Sequence, residues 1–491
     1  MITIKGIWKL AGLAKPGMFK GKDVSLFGNL RVPHFSQWLS VFSLFLFSLV
    51  AAHAGNETLL QKYVNKPDPA YQYRLVNSVS ADGYSTHLIA MDSQHWRKAG
   101  EVNRSLWSHW LIITIPEKVT TDIAMLIISG GNNSDTPPEL THKKFLPATS
   151  IARASGSIVA TLRQVPNQPL LFSGTDEPLS EDGLVAFSWK QAMDSGDYTW
   201  AAYLPMVKSA VRAMDTIQSF VADKSAFKIK RFVVTGFSKR GATTWLTAAV
   251  DPRVCAISPG VYDVLNFTPS LEHHFASYGF YSAAIDDYVN FGILNRLHTP
   301  EGQVLQKIVD PYHYLKALDI PIFIINSAGD EFFPSDSARF YFEALPADRL
   351  MRYIPNTDHS LREPGKGSTG AITSLLSWYQ TIIKQKKRPT IRRRQQDSRL
   401  TVMTDQTPSA VRLWQTSNPT ARDFRLETTG RTWQSKTLGL SANGEYRVDV
   451  LPPEKGWTAW FMELQYDTNG FPQTYTSRIF ISPERFKNKP D

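Results

Sequence analysis

Ser238 is the residue of this 491-residue chain whose surroundings are built for nucleophilic chemistry. It lies in RFVVTGFSKRG (231–241), where the apolar run Phe232, Val233, Val234 breaks at the serine and a helix-forming stretch follows over 242–250. The pattern predicts a buried strand turning sharply into a helix. At such a turn the hydroxyl stands clear of the sheet edge, and the backbone N–H of the next residue, with the helix N-terminus, faces any oxyanion formed there. The spacing departs from Gly-x-Ser-x-Gly. Gly236 and Ser238 fit, Arg240 occupies the last position, and the glycine comes one residue later at Gly241.

A serine hydroxyl is weakly nucleophilic until a base takes its proton, so Ser238 needs a histidine and an acid to orient it. In a strand–helix architecture the acid follows the serine and the histidine follows the acid. Asp330 comes directly after the apolar run IPIFIINSAG (320–329), just past the C-terminal end of a strand, where open α/β sheets hold their ligands. His359 follows the next strand candidate, in the polar loop PNTDHS (355–360). Glu331 and Asp336 rival Asp330 as the acid, whereas Asp358 is adjacent to His359 and neighbours in sequence rarely face one another.

Oxyanion donors are expected from the Lys239 N–H and from one of Gly130, Gly131 or Asn132, a glycine-rich turn ending an earlier strand. Read without chemistry, that turn is a tight reversal. Lys239 and Arg240 put two cations beside the nucleophile, able to stabilise an oxyanion or bind a substrate carboxylate; Arg240 can equally pair with a structural acid such as Asp197 or Asp263. No metal or cofactor is expected, since His273 and His274 are consecutive, which turns them apart on a helix, and no HExxH spacing occurs.

Periodicity locates the elements that must hold these residues. Residues 71–97 alternate in strand fashion on both sides of Asp82-Gly83, predicting an opening hairpin. Short apolar runs follow at 109–116, 123–131 and 157–166, and apolar residues at three- and four-residue spacing predict a helix over 203–222. Further strand candidates at 254–258, 320–330 and 350–356, with a closing helix at 374–383, complete an alternation of strand and helix. It predicts an α/β fold with a mostly parallel sheet covered on both faces. The aromatic-rich stretch at about 262–316 is too long and apolar for a loop, and reads as a helical cap over the strand ends or as peripheral helices.

KQKKRPTIRRRQQDSRL (384–400) carries eight Lys/Arg against one Asp and reads as a solvated linker, or as a contact for anionic lipid or polysaccharide. Beyond it, runs such as VRLWQTS and WTAWFMELQY between turn residues predict a small all-β sandwich that binds or braces. The length suits two domains after a targeting segment. With 42% hydrophobic and 20% charged residues, the chain is neither disordered nor a polytopic membrane protein. Residues 1–54 hold six Lys/Arg and one Asp, so of the net +10 charge only 10 − 5 = +5 belongs to the rest. No nucleic-acid motif accompanies it, and no nucleic-acid partner is expected. Cys255 is the single cysteine, which excludes an intramolecular disulfide and reads as a buried inert thiol.

WLSVFSLFLFSLVAA (38–52) is uncharged, follows a basic segment and precedes Ala52-His53-Ala54, the small-x-small pattern of a cleavage site. Cleavage after Ala54 is expected, giving a periplasmic or secreted protein without a permanent membrane span; a retained anchor is the alternative, and Met18 an alternative start.

Five motifs taken together, YLPMVKSAVRAMD (203–215), GFSKRGATTW (236–245), VDPYHYL (309–315), GDEFFPSDS (329–337) and PNTDH (355–359), resemble the PhoPQ-activated pathogenicity-related family. The resemblance implies an α/β-hydrolase fold. The family's Gly-x-Ser-Lys-Arg-Gly turn matches Gly236, Ser238, Lys239, Arg240 and Gly241, which makes Arg240 the family's own form of the motif. It also implies a peptidase-type or esterase-type hydrolase and, through the family's name, envelope or virulence responses; it implies no substrate. The combined expectation is an exported serine hydrolase that cleaves a peptide or ester bond, with an α/β-hydrolase domain over 55–384, a linker at 385–400 and a β-sandwich at 401–491. The alternative is a secreted signalling or binding protein that keeps the fold and makes little use of Ser238, Asp330 and His359.

Overall fold

A computed structural model describes residues 57–133, 136–140, 146–225, 227–396, 398–468 and 471–486. The apolar run at 38–52 and the expected cleavage site lie outside the described residues. No helix among those described is long and apolar enough to cross a membrane.

Nine strands build the main sheet: β1 (Gln72–Ala81), β2 (Tyr84–His95), β3 (Leu106–Pro116), β4 (Ile123–Ile128), β5 (Val159–Leu162), β6 (Arg231–Phe237), β7 (Val254–Gly260), β8 (Ile322–Ser327) and β9 (Arg349–Ile354). Their order is β1-β2-β3-β5-β4-β6-β7-β8-β9. The first three strands run antiparallel, joined by the expected two-residue turn at Asp82-Gly83, where Ala81 pairs with Tyr84 and Gly83 takes φ +79°. From β5 to β9 every pairing is parallel. The sequence foreshadows the change: β8 is IFIINS and is buried at every position, as a strand with helices on both faces requires.

The chain leaves β4 for β5 on one side and returns to β6 on the other. That reversal opens a crevice at the carboxyl ends of β4 and β6, where a doubly wound sheet takes its ligand. In register, Ile128 of β4 lies beside Gly236 of β6, which brings the turn at 130–132 next to Ser238.

The layers are α1 (Leu59–Asn65), α2 (Leu146–Ser155), α3 (Glu181–Ser195), α4 (Tyr203–Lys224), α5 (Lys239–Val250), α6 (Phe267–Tyr278), α7 (Pro300–Val309) and α8 (Thr369–Ile383). Between β7 and β8 the chain is helical, with α6, α7 and short turns between them. The result is an α/β sheet of the α/β-hydrolase kind with a helical insertion.

The C-terminal part is antiparallel. One sheet contains β10 (Ile391–Gln396), β11 (Arg399–Thr404) and β14 (Glu445–Asp449); the other contains β12 (Ala410–Asn418), β13 (Gln434–Leu438), β15 (Trp457–Thr468) and β16 (Phe471–Thr476), with β17 (Phe480–Ser482) on β15. Two expectations are corrected here. The basic stretch expected as a solvated linker supplies β10, whose alternation turns Arg393 inward, its guanidinium 4.6 Å from the Phe342 ring and bonded to the Thr476 carbonyl. Counting charges missed it because a long arginine stem packs as an apolar chain.

The second correction concerns separability. Val402, Met462 and Tyr475 share one continuous core with Phe323 and Leu350 of the main sheet and Trp378 of α8, and residues Thr58–Asp491 form a single compact unit. At the sheet's edge, the Tyr353 N–H of β9 donates to the Thr476 hydroxyl of β16 at 3.0 Å. The β region covers an edge strand that would otherwise present unpaired backbone.

Candidate active site

Ser238 sits at φ +57°, ψ −133°, a conformation few non-glycine residues adopt. Neighbours hold it there: its N–H donates to the Gly260 carbonyl of β7 at 2.9 Å, and its own carbonyl accepts from the Gly241 N–H at 2.6 Å. The glycines are steric necessities. A Cβ on Gly236 would lie 2.6 Å from the Arg240 carbonyl, and one on Gly241 2.9 Å from the Tyr262 Cβ. The shifted glycine of the motif is therefore the residue at which α5 crosses the end of β7. Lys239 opens α5, where N–H groups lack intrahelical acceptors, so its amide is available to an oxyanion.

Asp330 follows β8, His359 follows β9, and the two side chains meet. His359 Nδ1 lies 3.0 and 2.9 Å from the two oxygens of the Asp330 carboxylate. Its Nε2 is buried and has no hydrogen-bond partner among the described residues. Burial lowers the affinity of the His359 ring for a proton, but the charge and hydrogen bond of Asp330, with Glu331 nearby, outweigh this and raise its pKa. No hydrogen bond joins Ser238 to His359 among the described residues. Phe332 and Phe333 link them: both line the cavity at Ser238, and their ring centroids lie 4.2 and 6.2 Å from that of His359. The rival acids have other partners. Glu331 accepts the His359 backbone N–H, Asp336 is gripped by Arg422 and His273, and Asp358 accepts from Ser360. The consecutive histidines do part: His273 faces Asp336, while His274 Nε2 accepts from the Ser282 N–H.

The cations at 239 and 240 meet acids that the sequence reading did not single out. Arg240 forks onto Glu181 through two bonds of 2.7 Å and also donates to the Val165 carbonyl. Neither Asp197 nor Asp263 is its partner: Asp197 takes Arg97, and Asp263 takes the hydroxyls of Tyr341 and Tyr353. The expectation that Arg240 could bind substrate is thereby corrected, because its guanidinium is a buried strut. It also braces the glycine turn, since a Cβ on Gly130 would lie 2.6 Å from its Nη2. Gly131 beside it takes φ +151°, and Asn132 is exposed, its carbonyl accepting from Gln164. The Lys239 ammonium lies 2.8 Å from Glu181 and 3.1 Å from Asp182. Burial would raise the Glu181 carboxyl, but Arg240 and Lys239 hold it well below the usual carboxylate range. The available signal was Ser180-Glu181-Asp182 before an apolar run, a helix start with acids in its first turn.

Ser238 opens into an apolar cavity of about 60 Å³ between the sheet and the helical insertion, walled by Trp189, Phe267, Ile293, Leu297 and Phe333 among others. Cys255 lies elsewhere, half-buried, with its thiol pushed up to about 11 by burial.

A model of the PhoPQ-activated pathogenicity-related protein family matches residues 60–425. The chain belongs to this family. Among curated relatives of this PhoPQ-related protein, the autocrine proliferation repressor protein A of Dictyostelium discoideum is 33% identical over 445 residues, 86% of this chain and 88% of its own. Similar solved structures include acetyl xylan esterase 1 from Thermoanaerobacterium, 15% identical with TM-score 0.43, covering 65% of this chain and 93% of that one. An S-formylglutathione hydrolase from Agrobacterium tumefaciens is 12% identical with TM-score 0.39, covering 64% and 99%. Likeness at this level says nothing of chemistry.

The PhoPQ-related match crosses into the β region and ends at Arg425, inside a segment that grips the site from outside. The Leu426 N–H donates to the Gly329 carbonyl at 2.9 Å, immediately before Asp330. The Asn356 side chain, three residues before His359, bonds the N–H and the carbonyl of Trp433, each at 3.0 Å. Arg422 joins Asp336 at 2.6 Å and Ser277 of α6 at 2.9 Å. One strip of the β region thus ties both loops of the acid–histidine pair to the helical insertion.

Proposed function

We propose that the protein is an exported serine hydrolase that cleaves a peptide or ester bond through an acyl-enzyme on Ser238. One observation carries the reading: Asp330 holds His359 by Nδ1 and leaves Nε2 buried and unpartnered among the described residues, next to the aromatic pair that walls the Ser238 cavity. In this reading His359 takes the hydroxyl proton as Oγ bonds to the substrate carbonyl carbon, and the carbonyl electron pair moves to oxygen. The Lys239 N–H and the turn at 130–132 receive that oxyanion. Collapse expels the amine or alcohol, which leaves with the proton carried by His359. Water, deprotonated by the same ring, then attacks the acyl-enzyme and releases the acid. Asp330 stabilises the imidazolium formed in each half-reaction.

A fluorophosphonate probe is expected to label the folded protein, and Ser238→Ala to abolish labelling; a folded wild-type chain that stays unlabelled sinks the proposal. That outcome favours a second reading, a secreted signalling or binding protein with this fold, to which the name of the Dictyostelium relative, an autocrine proliferation repressor, lends support. Export rests on the uncharged run at 38–52 and the small-x-small site after it. N-terminal sequencing of the mature protein is expected to begin at Gly55, and a retained residue 38–52 segment would contradict it.

A further inference from the structure

The cavity at Ser238 bears on what the substrate carries, an inference that rests on the serine hydrolase reading. Its walls are rings and aliphatic chains, and its charged and hydroxyl tips other than Ser238 are paired with one another, the Trp189 indole N–H alone among the wall residues named being buried without a partner among the described residues. The Lys239 ammonium sits between Glu181 and Asp182; Asp182 also accepts the Tyr288 hydroxyl at 2.9 Å; the hydroxyls of Tyr203 and Tyr262 lie 3.3 Å apart. A charged guest here would be desolvated with no unpaired charge of opposite sign to meet it. An apolar guest loses nothing and gains contact.

Size narrows the class further. The cavity volume is about 60 Å³ on the measure by which a single water needs about 10–15 Å³, so it has room for a handful of waters or a short chain. Direction follows from the chemistry: the leaving group must stay within reach of His359 Nε2, and His359 is not among the residues lining the cavity. The part of the substrate left to enter is the substituent on the carbonyl carbon.

We propose that this cavity is an acyl pocket for a short, uncharged aliphatic group, supplied by a short-chain ester or by a small apolar side chain beside a scissile amide. The Lys-Arg pair, which sequence alone offered as a carboxylate reader, is neutralised by α3 and selects against charge on the acyl group.

The test uses the purified full chain with p-nitrophenyl acetate, butyrate, octanoate and hemisuccinate, and with the uncharged N-acetyl-alanyl and N-acetyl-valyl p-nitroanilides. The expected result is kcat/KM highest for acetate or butyrate, or for the two anilides, at least about tenfold lower for octanoate, and lost for hemisuccinate. Turnover of the esters alone identifies an ester source, and of the anilides alone a peptide source. Leu297→Ala and Ile293→Ala, which enlarge the wall supplied by the helical insertion, are expected to raise octanoate relative to butyrate by about tenfold. A wild-type optimum at octanoate, or hemisuccinate cleaved as fast as butyrate, overturns the assignment even if neither variant folds. If the fluorophosphonate labels Ser238 yet no short acyl substrate turns over, the acyl class falls while the hydrolase reading stands. An unlabelled Ser238 in folded protein fells both.

Discussion

His359 is the residue whose surroundings make the sharpest statement about pH. Burial disfavours its charged form, Asp330 and Glu331 favour it, and Lys239 opposes them; the carboxylates win and the pKa rises above the ordinary 6.5. As a general base the ring must be neutral, so kcat/KM is expected to fall on the acid side as pH drops through this raised value. Glu331→Gln keeps an acceptor for the His359 N–H and removes one source of the upward shift. The acid limb is then expected to move to lower pH; a limb that stays put or moves up contradicts the account. Stability has the opposite dependence. The Asp330–His359 pair contributes fully below the unfolded pKa of the histidine, and its contribution is lost as pH rises through the raised folded value. That Asp330 and His359 belong together was legible, because each follows its own apolar strand in an order the architecture dictates. That Arg240 braces the glycine turn rather than facing substrate was not legible, since its partner Glu181 is 59 residues away.

Among elements, α5 and the strip from Asn418 to Trp433 do the positioning. The sequence motif around Ser238 announces α5 because its constraints are local: a strained serine, and glycines where strand and helix cross. The strip announces nothing, since its loop-like composition acquires meaning only where it lands. Arg422 shows how much rests on it, as its guanidinium and the Asp336 carboxylate are each about 2% exposed and 86 residues apart in the chain. Arg422→Leu leaves the buried Asp336 carboxylate with His273 at 2.8 Å and Arg339 at 3.3 Å as its remaining partners. The expected cost is about 3–5 kcal/mol in urea unfolding, the range for breaking a buried pair from one side. A loss below about 1 kcal/mol would show that the strip does not brace the acid loop.

For the whole molecule, the join at about residue 384 matters most. The change of composition there suggests a domain boundary with a charged linker, but the core runs straight through it and β16 caps the edge of the main sheet. A chain truncated after Lys384 exposes apolar faces of β8, β9 and α8 together with an unpaired sheet edge. It is expected to be insoluble, or to lose near-UV circular dichroism and cooperative unfolding. A soluble fragment that unfolds cooperatively and still takes the fluorophosphonate would refute this continuity. By itself, the sequence determined the alternation of strand and helix, the turn at Ser238 and the order of acid and histidine, because these depend on contacts within a few residues. Only the tertiary structure decided which acids neutralise Lys239 and Arg240, what walls the cavity, and that the β region locks the loops of Asp330 and His359. Those outcomes depend on which distant segments share a crevice or a sheet edge, and local periodicity does not encode that.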